Sequence, residues 1–158
     1  MTVGFDVYNV RFGDNSCANL YSGCDEVSDF EFQFLALAQN AAASLIQQVF
    51  LDGPLGDFDS DPTLTNGCEA NPFNRCDIWI PYALNDSGVI LMEYFNFSDS
   101  SGLTDGASSE GPEDINFDTS TDPQITYAIF TPVPVPAAVW LMGSALVGLV
   151  GLSRRTKS

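Results

Sequence analysis

The sequence predicts a mainly β chain: a small, sandwich-like acidic domain with one short helix, followed by a C-terminal transmembrane helix. Three observations lead there. Short apolar runs, several with period-two character, recur between polar loops rich in Asp, Asn, Ser and Gly. One alanine-rich stretch has helical spacing instead. The last part then reverses the composition of the rest, with an uncharged apolar run closed by three basic residues. A chain of 158 residues has room for one domain and an appendage.

The elements follow in order. Thr2–Phe12 alternates apolar and polar residues and fits a strand. Its opening, MTVGFDVYNV, lacks the basic region and apolar core of a leader and reads as the interior of a first strand; for an exported chain the true start is then expected upstream of Met1, the alternative being that export is absent. Asp14–Asp29 is a polar loop. Phe30, Phe32 and Phe34 alternate with Glu31 and Gln33, a period-two signal for a half-buried strand. From about Gln39 to Phe50, Leu45, Ile46, Val49 and Phe50 follow an alanine-rich run and predict the helix, ended by Asp52-Gly53-Pro54. Asp52–Arg75 is read as loop. Ile78–Leu84 and Val89–Phe97 are two strands joined at Asn85-Asp86-Ser87-Gly88, where Asn, Asp and Gly tolerate the backbone angles of a hairpin turn. Ser98–Asp122 is a second long loop, and Gln124–Phe130 a last strand. Residues 1–130 thus form an acidic, β-rich extracytoplasmic domain.

Charge bounds the partners. All 21 acidic residues lie between Asp6 and Asp122, against only Arg11 and Arg75 in the same region, a formal charge of −19 before Thr131. Such a surface repels nucleic acid and anionic headgroups and attracts cations. The body is nevertheless too rich in Phe, Leu, Ile and Val for a disordered acidic tail.

Four cysteines, Cys17, Cys24, Cys68 and Cys76, are spaced too widely for paired zinc ligands, and the chain has no histidine. Of three connectivities, the local pairing Cys17–Cys24 and Cys68–Cys76 is favoured, each bond closing a short loop and contributing about 2–3 kcal/mol. Disulfides persist outside a reducing cytoplasm. Four buried free thiols are the alternative.

Asp57, Asp59 and Asp61 stand at alternate positions and form the candidate metal site, a loose calcium loop with Asp52. Pro62 stands where an EF-hand needs its glycine and Cys68 where its glutamate belongs, so the motif is not an EF-hand. A solvated acidic loop is the competing reading. Apart from calcium, no cofactor is expected. Trp79, Tyr82, Tyr94, Phe95 and Phe97 lie on adjacent strands, and outward rings among them would stack on sugars. Alternation constrains this, placing Trp79 opposite Ile78, Ile80 and Tyr82, and Tyr94 opposite Phe95 and Phe97. Glu93 is a candidate pocket carboxylate whose position in the strand favours a solvent-facing role. No histidine, no lysine before Lys157, and no nucleophile or phosphate-loop motif are present. With 21 acids some carboxylate pair always falls at a glycosidase-like separation, so that pattern carries no information. The chain is read as not an enzyme.

The tail divides into a proline-rich segment at residues 131–136, an uncharged run from Ala137 to Leu152 and a basic end at residues 153–158. Sixteen helical residues span about 24 Å, and a start at Val133 extends the run to about 30 Å. Pro132, Pro134 and Pro136 suit an extended lead-in. Arg154, Arg155 and Lys157 fit stop-transfer charges on the cytoplasmic side. The order of VPVPA (Val133, Pro134, Val135, Pro136, Ala137), AVWLMGSALVGLVGL and SRRTKS resembles the C-terminal sorting signal of PEP-CTERM proteins, in its VPLPA-type variant with Val135 in the leucine position. The resemblance covers about 28 residues and says nothing of the body.

It implies an exported, non-enzymatic protein of a Gram-negative bacterium, held in the inner membrane as a precursor. An exosortase would process it, and it would end at the cell surface or in the exopolysaccharide matrix. The partners so implied are the exosortase, the inner membrane and extracellular polysaccharide, with no nucleic acid. The alternatives are a calcium- or polysaccharide-binding module on the same anchor, a single-pass membrane protein that is never cut, and a gene fragment.

Overall fold

The computed structural model describes residues 1–69 and 74–134. Eight strands and two α-helices follow in the order β1 (Thr2–Val3), β2 (Asp6–Gly13), α1 (Cys17–Leu20), α2 (Leu35–Gln48), β3 (Asp52–Gly53), β4 (Gly56–Asp57), β5 (Arg75–Asn85), β6 (Gly88–Phe97), β7 (Gly106–Glu113) and β8 (Ile125–Pro132). Six strands form one sheet in the order β1-β2-β8-β5-β6-β7, and β3 and β4 pair separately. Every pairing in the large sheet is antiparallel except that of β5 with β8, where Asp77, Ile78 and Trp79 lie beside Ile125, Thr126 and Tyr127.

The sandwich expected from the sequence is therefore overturned. One mixed sheet, curved as a half-barrel, replaces two facing sheets, and two short helices accompany it. The physical reason lies in what covers its faces. Toward one face α2 presents Ala38, Ala41, Ala42 and Leu45, all fully buried and spaced as one helical stripe. Three of the four are alanines, which let the helix axis approach the sheet closely. That face contributes Tyr8, Cys76, Ile78, Ile80, Met92, Tyr94, Ala128 and Phe130 to the shared core. The opposite face, with Trp79, Val89, Leu91, Tyr127 and Ile129, is covered by the disulfide-closed segment carrying Cys17, Tyr21, Cys24 and Phe30. Because β5 is buried on both faces, Arg75–Asn85 reads as a nearly continuous apolar run.

The strand expected at Phe30–Phe34 does not form. Phe30 ends a 3-10 turn at Val27–Asp29, and Phe34 caps α2, which begins at Leu35 rather than near Gln39. Phe30 and Phe32 reach the core, but in different layers, while Phe34 is exposed. Phe30 packs edge-on against Tyr21 at 5.9 Å, whereas Phe32 packs against Phe130 at 4.8 Å and Tyr8 at 5.5 Å. This segment joins the two layers.

Two regions expected to be loop form strands. β7 has the sequence GASSEGPE, with little β propensity, yet pairs along the open edge of β6 from Val89 to Phe95. Backbone pairing with a formed neighbour overrides residue preference there. The β3–β4 hairpin is equally local, with Pro54 and Leu55 as its two-residue tip.

The transmembrane expectation is also corrected. Among the described residues no helix is long and apolar enough to cross a membrane. Ala137–Leu152 and the charges Arg154, Arg155 and Lys157 lie outside the described residues, as do Val135 and Pro136. The described part of the proposed signal continues the domain instead: β8 runs through Pro132, and the Val133 amide donates to the Val7 carbonyl at 2.8 Å. An anchor, an inner-membrane stage, exosortase processing and a cell-surface or matrix destination accordingly have no support, and these assignments are withdrawn.

Candidate ligand-binding site

A feature with binding character begins where α2 ends. After Gln48 the chain passes through Val49 to the β3–β4 hairpin, which stands away from the sheet. Asp52 fixes the hairpin to the loop that follows. Its carboxylate accepts hydrogen bonds from the Asp59 and Ser60 amides at 3.0 Å each and from the Ser60 hydroxyl. These bonds, that from the Ser60 hydroxyl foremost, hold the carboxyl below its ordinary range. Gly56 has φ of +145°, and a Cβ there would approach the Phe58 ring to 2.9 Å, so the residue is confined to glycine by both backbone and space. Asp61 then caps the 3-10 turn Pro62–Leu64 through the Thr63 amide at 3.1 Å.

These elements enclose a cavity of about 590 Å³ between the end of α2, Phe12 of β2, the hairpin and Leu64–Asn66. Its walls are chiefly apolar: Phe12, Val49, Leu51, Leu55, Phe58 and Leu64. The floor is rigid. Phe12 packs on Phe50 at 5.5 Å, and Phe50 on the fully buried Tyr94 at 5.1 Å. Of the polar wall residues, the buried Thr65 hydroxyl has no hydrogen-bond partner among the described residues, whereas Gln48 and Asn66 are committed to backbone. Gln48 exchanges bonds of 2.8 Å with the backbone of Thr2 in both directions, and the Asn66 amide donates to the Phe12 carbonyl at 3.2 Å. At the mouth, Leu51, Leu55 and Leu64 are 50%, 94% and 47% exposed, a contiguous apolar patch left open to solvent. The volume falls within the range of small-molecule pockets.

A second polar cluster lies on the opposite face of the sheet. Asp77 is almost fully buried and pairs with Arg75, whose guanidinium also lies over the rings of Phe95 and Phe97 at 5.5 and 5.8 Å. Desolvation outweighs that pairing and raises the Asp77 carboxyl above its ordinary value. Its Oδ1 has no hydrogen-bond partner among the described residues. Half-buried Glu93 is raised for the same reason and accepts from the Trp79 indole at 3.0 Å. Glu93 thus serves the fold, packed against Trp79 rather than facing solvent.

The other sequence-derived candidates are dispersed or buried. Asp57, Asp59 and Asp61 do not converge on a cation position, and no group of three or more acidic, cysteine or histidine side chains arranged for a metal occurs among the described residues. Asp61 and Asp52 spend their oxygens on loop geometry instead, so the calcium reading is withdrawn. The aromatic sugar platform fails as well. Trp79, Tyr82 and Tyr94 are buried, and half-buried Phe95 and Phe97 stack on each other and on Arg75. The cysteines are bonded as Cys17–Cys24 and Cys68–Cys76, with Cα separations of 5.7 Å, and all four are fully buried.

Sequence reasoning missed the cavity. Asp52-Gly-Pro-Leu-Gly-Asp57 carried the signal, since a lone leucine between Gly-Pro and Gly marks an apolar side chain on a turn. No known protein family, curated protein or solved structure matches this chain.

Proposed function

We propose that this chain is a non-catalytic binding domain that matures where thiols are oxidised and takes a small apolar ligand in the cavity between α2, β2 and the β3–β4 hairpin. The observation that carries the reading is the combination of that 590 Å³ apolar cavity with the open leucine patch at its mouth. A folded domain gains by burying such a patch, at about 25 cal/mol per Å² of apolar surface, and an apolar ligand supplies the burial that the chain itself does not. The Cys68–Cys76 disulfide, in the same core layer as Phe50 and Tyr94, and the aromatic floor support the cavity without a ligand, which reduces the ordering cost of binding.

The non-catalytic part of the proposal is supported by where the perturbed carboxyls lie. The two carboxyls shifted upward, Asp77 and Glu93, lie on the other face of the sheet, engaged with Arg75 and Trp79. The cavity wall itself holds no residue with a nucleophile activated by a neighbouring base.

Titration with the neutral dye Nile red tests the reading. Saturable fluorescence with one site per chain is expected, weakened about ten-fold or more in Leu51→Asp and Leu64→Asp, which place a charge at half-exposed wall positions. Both variants should keep the wild-type circular dichroism. Absence of saturable binding by the wild type overturns the proposal.

A further inference from the structure

The wall of the cavity narrows the ligand class, an inference that rests on the binding role just proposed. Among the described residues, the buried side-chain atoms without a hydrogen-bond partner are Thr65 Oγ1, Arg75 Nε, Asp77 Oδ1, Asn96 Oδ1 and the Tyr127 hydroxyl. Of these, the Thr65 hydroxyl alone belongs to a residue of the cavity wall. We infer that the ligand is an apolar molecule carrying one uncharged oxygen, a ketone or an alcohol. That oxygen pairs with the Thr65 hydroxyl, and the hydrocarbon lies against Phe12, Val49, Leu51 and Phe58.

Thr65 is 1% exposed, so bulk water does not satisfy its hydroxyl. Its backbone is already spent within the turn: the amide donates to the Pro62 carbonyl at 3.1 Å, and the carbonyl accepts from the Cys68 amide at 2.9 Å. What Thr65 has left to offer the wall is its side chain. A buried hydroxyl without a partner carries a desolvation cost, which a bound oxygen removes. The rest of the wall offers no partner to a charged head. Asp52 is its one charged residue among those described, and both Asp52 oxygens accept bonds from Asp59 and Ser60. No basic side chain lines the cavity, and Arg75 is paired with Asp77 on the opposite face of the sheet. An ammonium head would find no free carboxylate in the wall and a carboxylate head no cation, so either would be buried unpaired.

Butylbenzene and butyrophenone share one carbon skeleton and differ in the ketone oxygen, while phenylbutyrate adds a charge. Each is titrated by displacement of Nile red and by calorimetry. Thr65→Val exchanges the hydroxyl for a methyl group of similar size. It should lower the affinity for butyrophenone relative to butylbenzene about five-fold or more, whereas Thr65→Ser should keep the wild-type ratio. Phenylbutyrate should bind most weakly of the three. Without ligand, Thr65→Val should melt no lower than the wild type, because the hydroxyl it removes has no partner to lose. In the wild type itself, the infrared carbonyl stretch of bound butyrophenone should lie below its value in hexane, as expected of a hydrogen-bonded ketone. An unchanged affinity ratio or a lower melting temperature in Thr65→Val, or a stretch at its hexane value, overturns the pairing with Thr65. Tighter binding of phenylbutyrate than of butyrophenone overturns the uncharged assignment. In each of these cases saturable butylbenzene binding leaves the apolar role standing. Failure of butylbenzene, butyrophenone and Nile red to bind overturns both.

Discussion

Trp79 and Glu93 sit directly opposite each other on β5 and β6, and the indole nitrogen donates to the Glu93 carboxylate at 3.0 Å. A carboxylate enclosed beside a tryptophan pays desolvation whenever it ionises, and this exceeds what the indole bond returns, so its pKa lies above the ordinary 4.5. Asp77 and Glu110 push it further up, while Arg75 opposes them.

That direction fixes a pH dependence. A carboxyl raised in the folded state holds its proton longer there than in the unfolded chain. The associated stability is fully present below the unfolded value near 4.5 and is lost as the pH rises through the raised folded value. Glu93→Gln keeps an oxygen for the Trp79 indole and removes the ionisation. The variant should match the wild type at acidic pH and become the more stable of the two as the pH rises above about 4.5 toward neutrality. Urea midpoints for both proteins across that range decide it. A difference independent of pH, or one favouring the wild type at neutrality, contradicts the assignment.

Tyr21 makes the corresponding link between the disulfide-closed segment and the sheet. Its hydroxyl donates to the Ala128 carbonyl of β8 at 2.9 Å, while its ring packs against Phe30 at 5.9 Å and Tyr127 at 5.8 Å. Tyr21→Phe retains the ring contacts and strands a buried carbonyl, so a loss of about 1–2 kcal/mol is expected. Replacing Cys17 and Cys24 together with serine should cost about 2–3 kcal/mol through the freed loop. Because both changes loosen one segment, the combined variant should lose less than the sum. Additive losses in chemical denaturation would show that hydroxyl and disulfide act independently.

The parts of this fold legible in the sequence are those fixed by local chemistry. The β5–β6 hairpin is one: Asn85-Asp86-Ser87-Gly88 declares the turn, and Asn85 pairs with Gly88. Strand alternation also assigned faces correctly, with Trp79 opposite Ile78 and Ile80. What stayed hidden depends on distant partners. Phe30, Phe32 and Phe34 alternate like a strand because Phe30 and Phe32 are both buried, but they go to separate layers of a segment that pairs with nothing. β7 was invisible because its serines, glycines and glutamates acquire strand geometry only from the edge of β6. The parallel insertion of β8 between β2 and β5 brings together residues about 50 and 120 positions apart in sequence, a distance no local pattern encodes. The cavity is subtler still. Each of its residues looks ordinary alone, and only the hairpin lock at Asp52 brings Leu55 and Leu64 to one mouth.

The hairpin that opens β6 also provides the most demanding test of the sheet edge. Gly88 has φ of +144°, and a Cβ there would fall 2.0 Å from the Glu113 carbonyl oxygen, well inside contact distance. The neighbour is backbone, so no rotamer change relieves the clash. Gly88→Ala must therefore strain the turn and also push β7 away from Val89, whose partner in the sheet is Glu113 itself. A loss of about 3 kcal/mol is expected, above the usual range for an exposed turn. The accompanying change should be local, with faster amide exchange along Gly106–Glu113 while β5 and β8 keep their protection. Alanine tolerated at Gly88 without loss of stability would mean that β7 is not held against β6 as the structure places it.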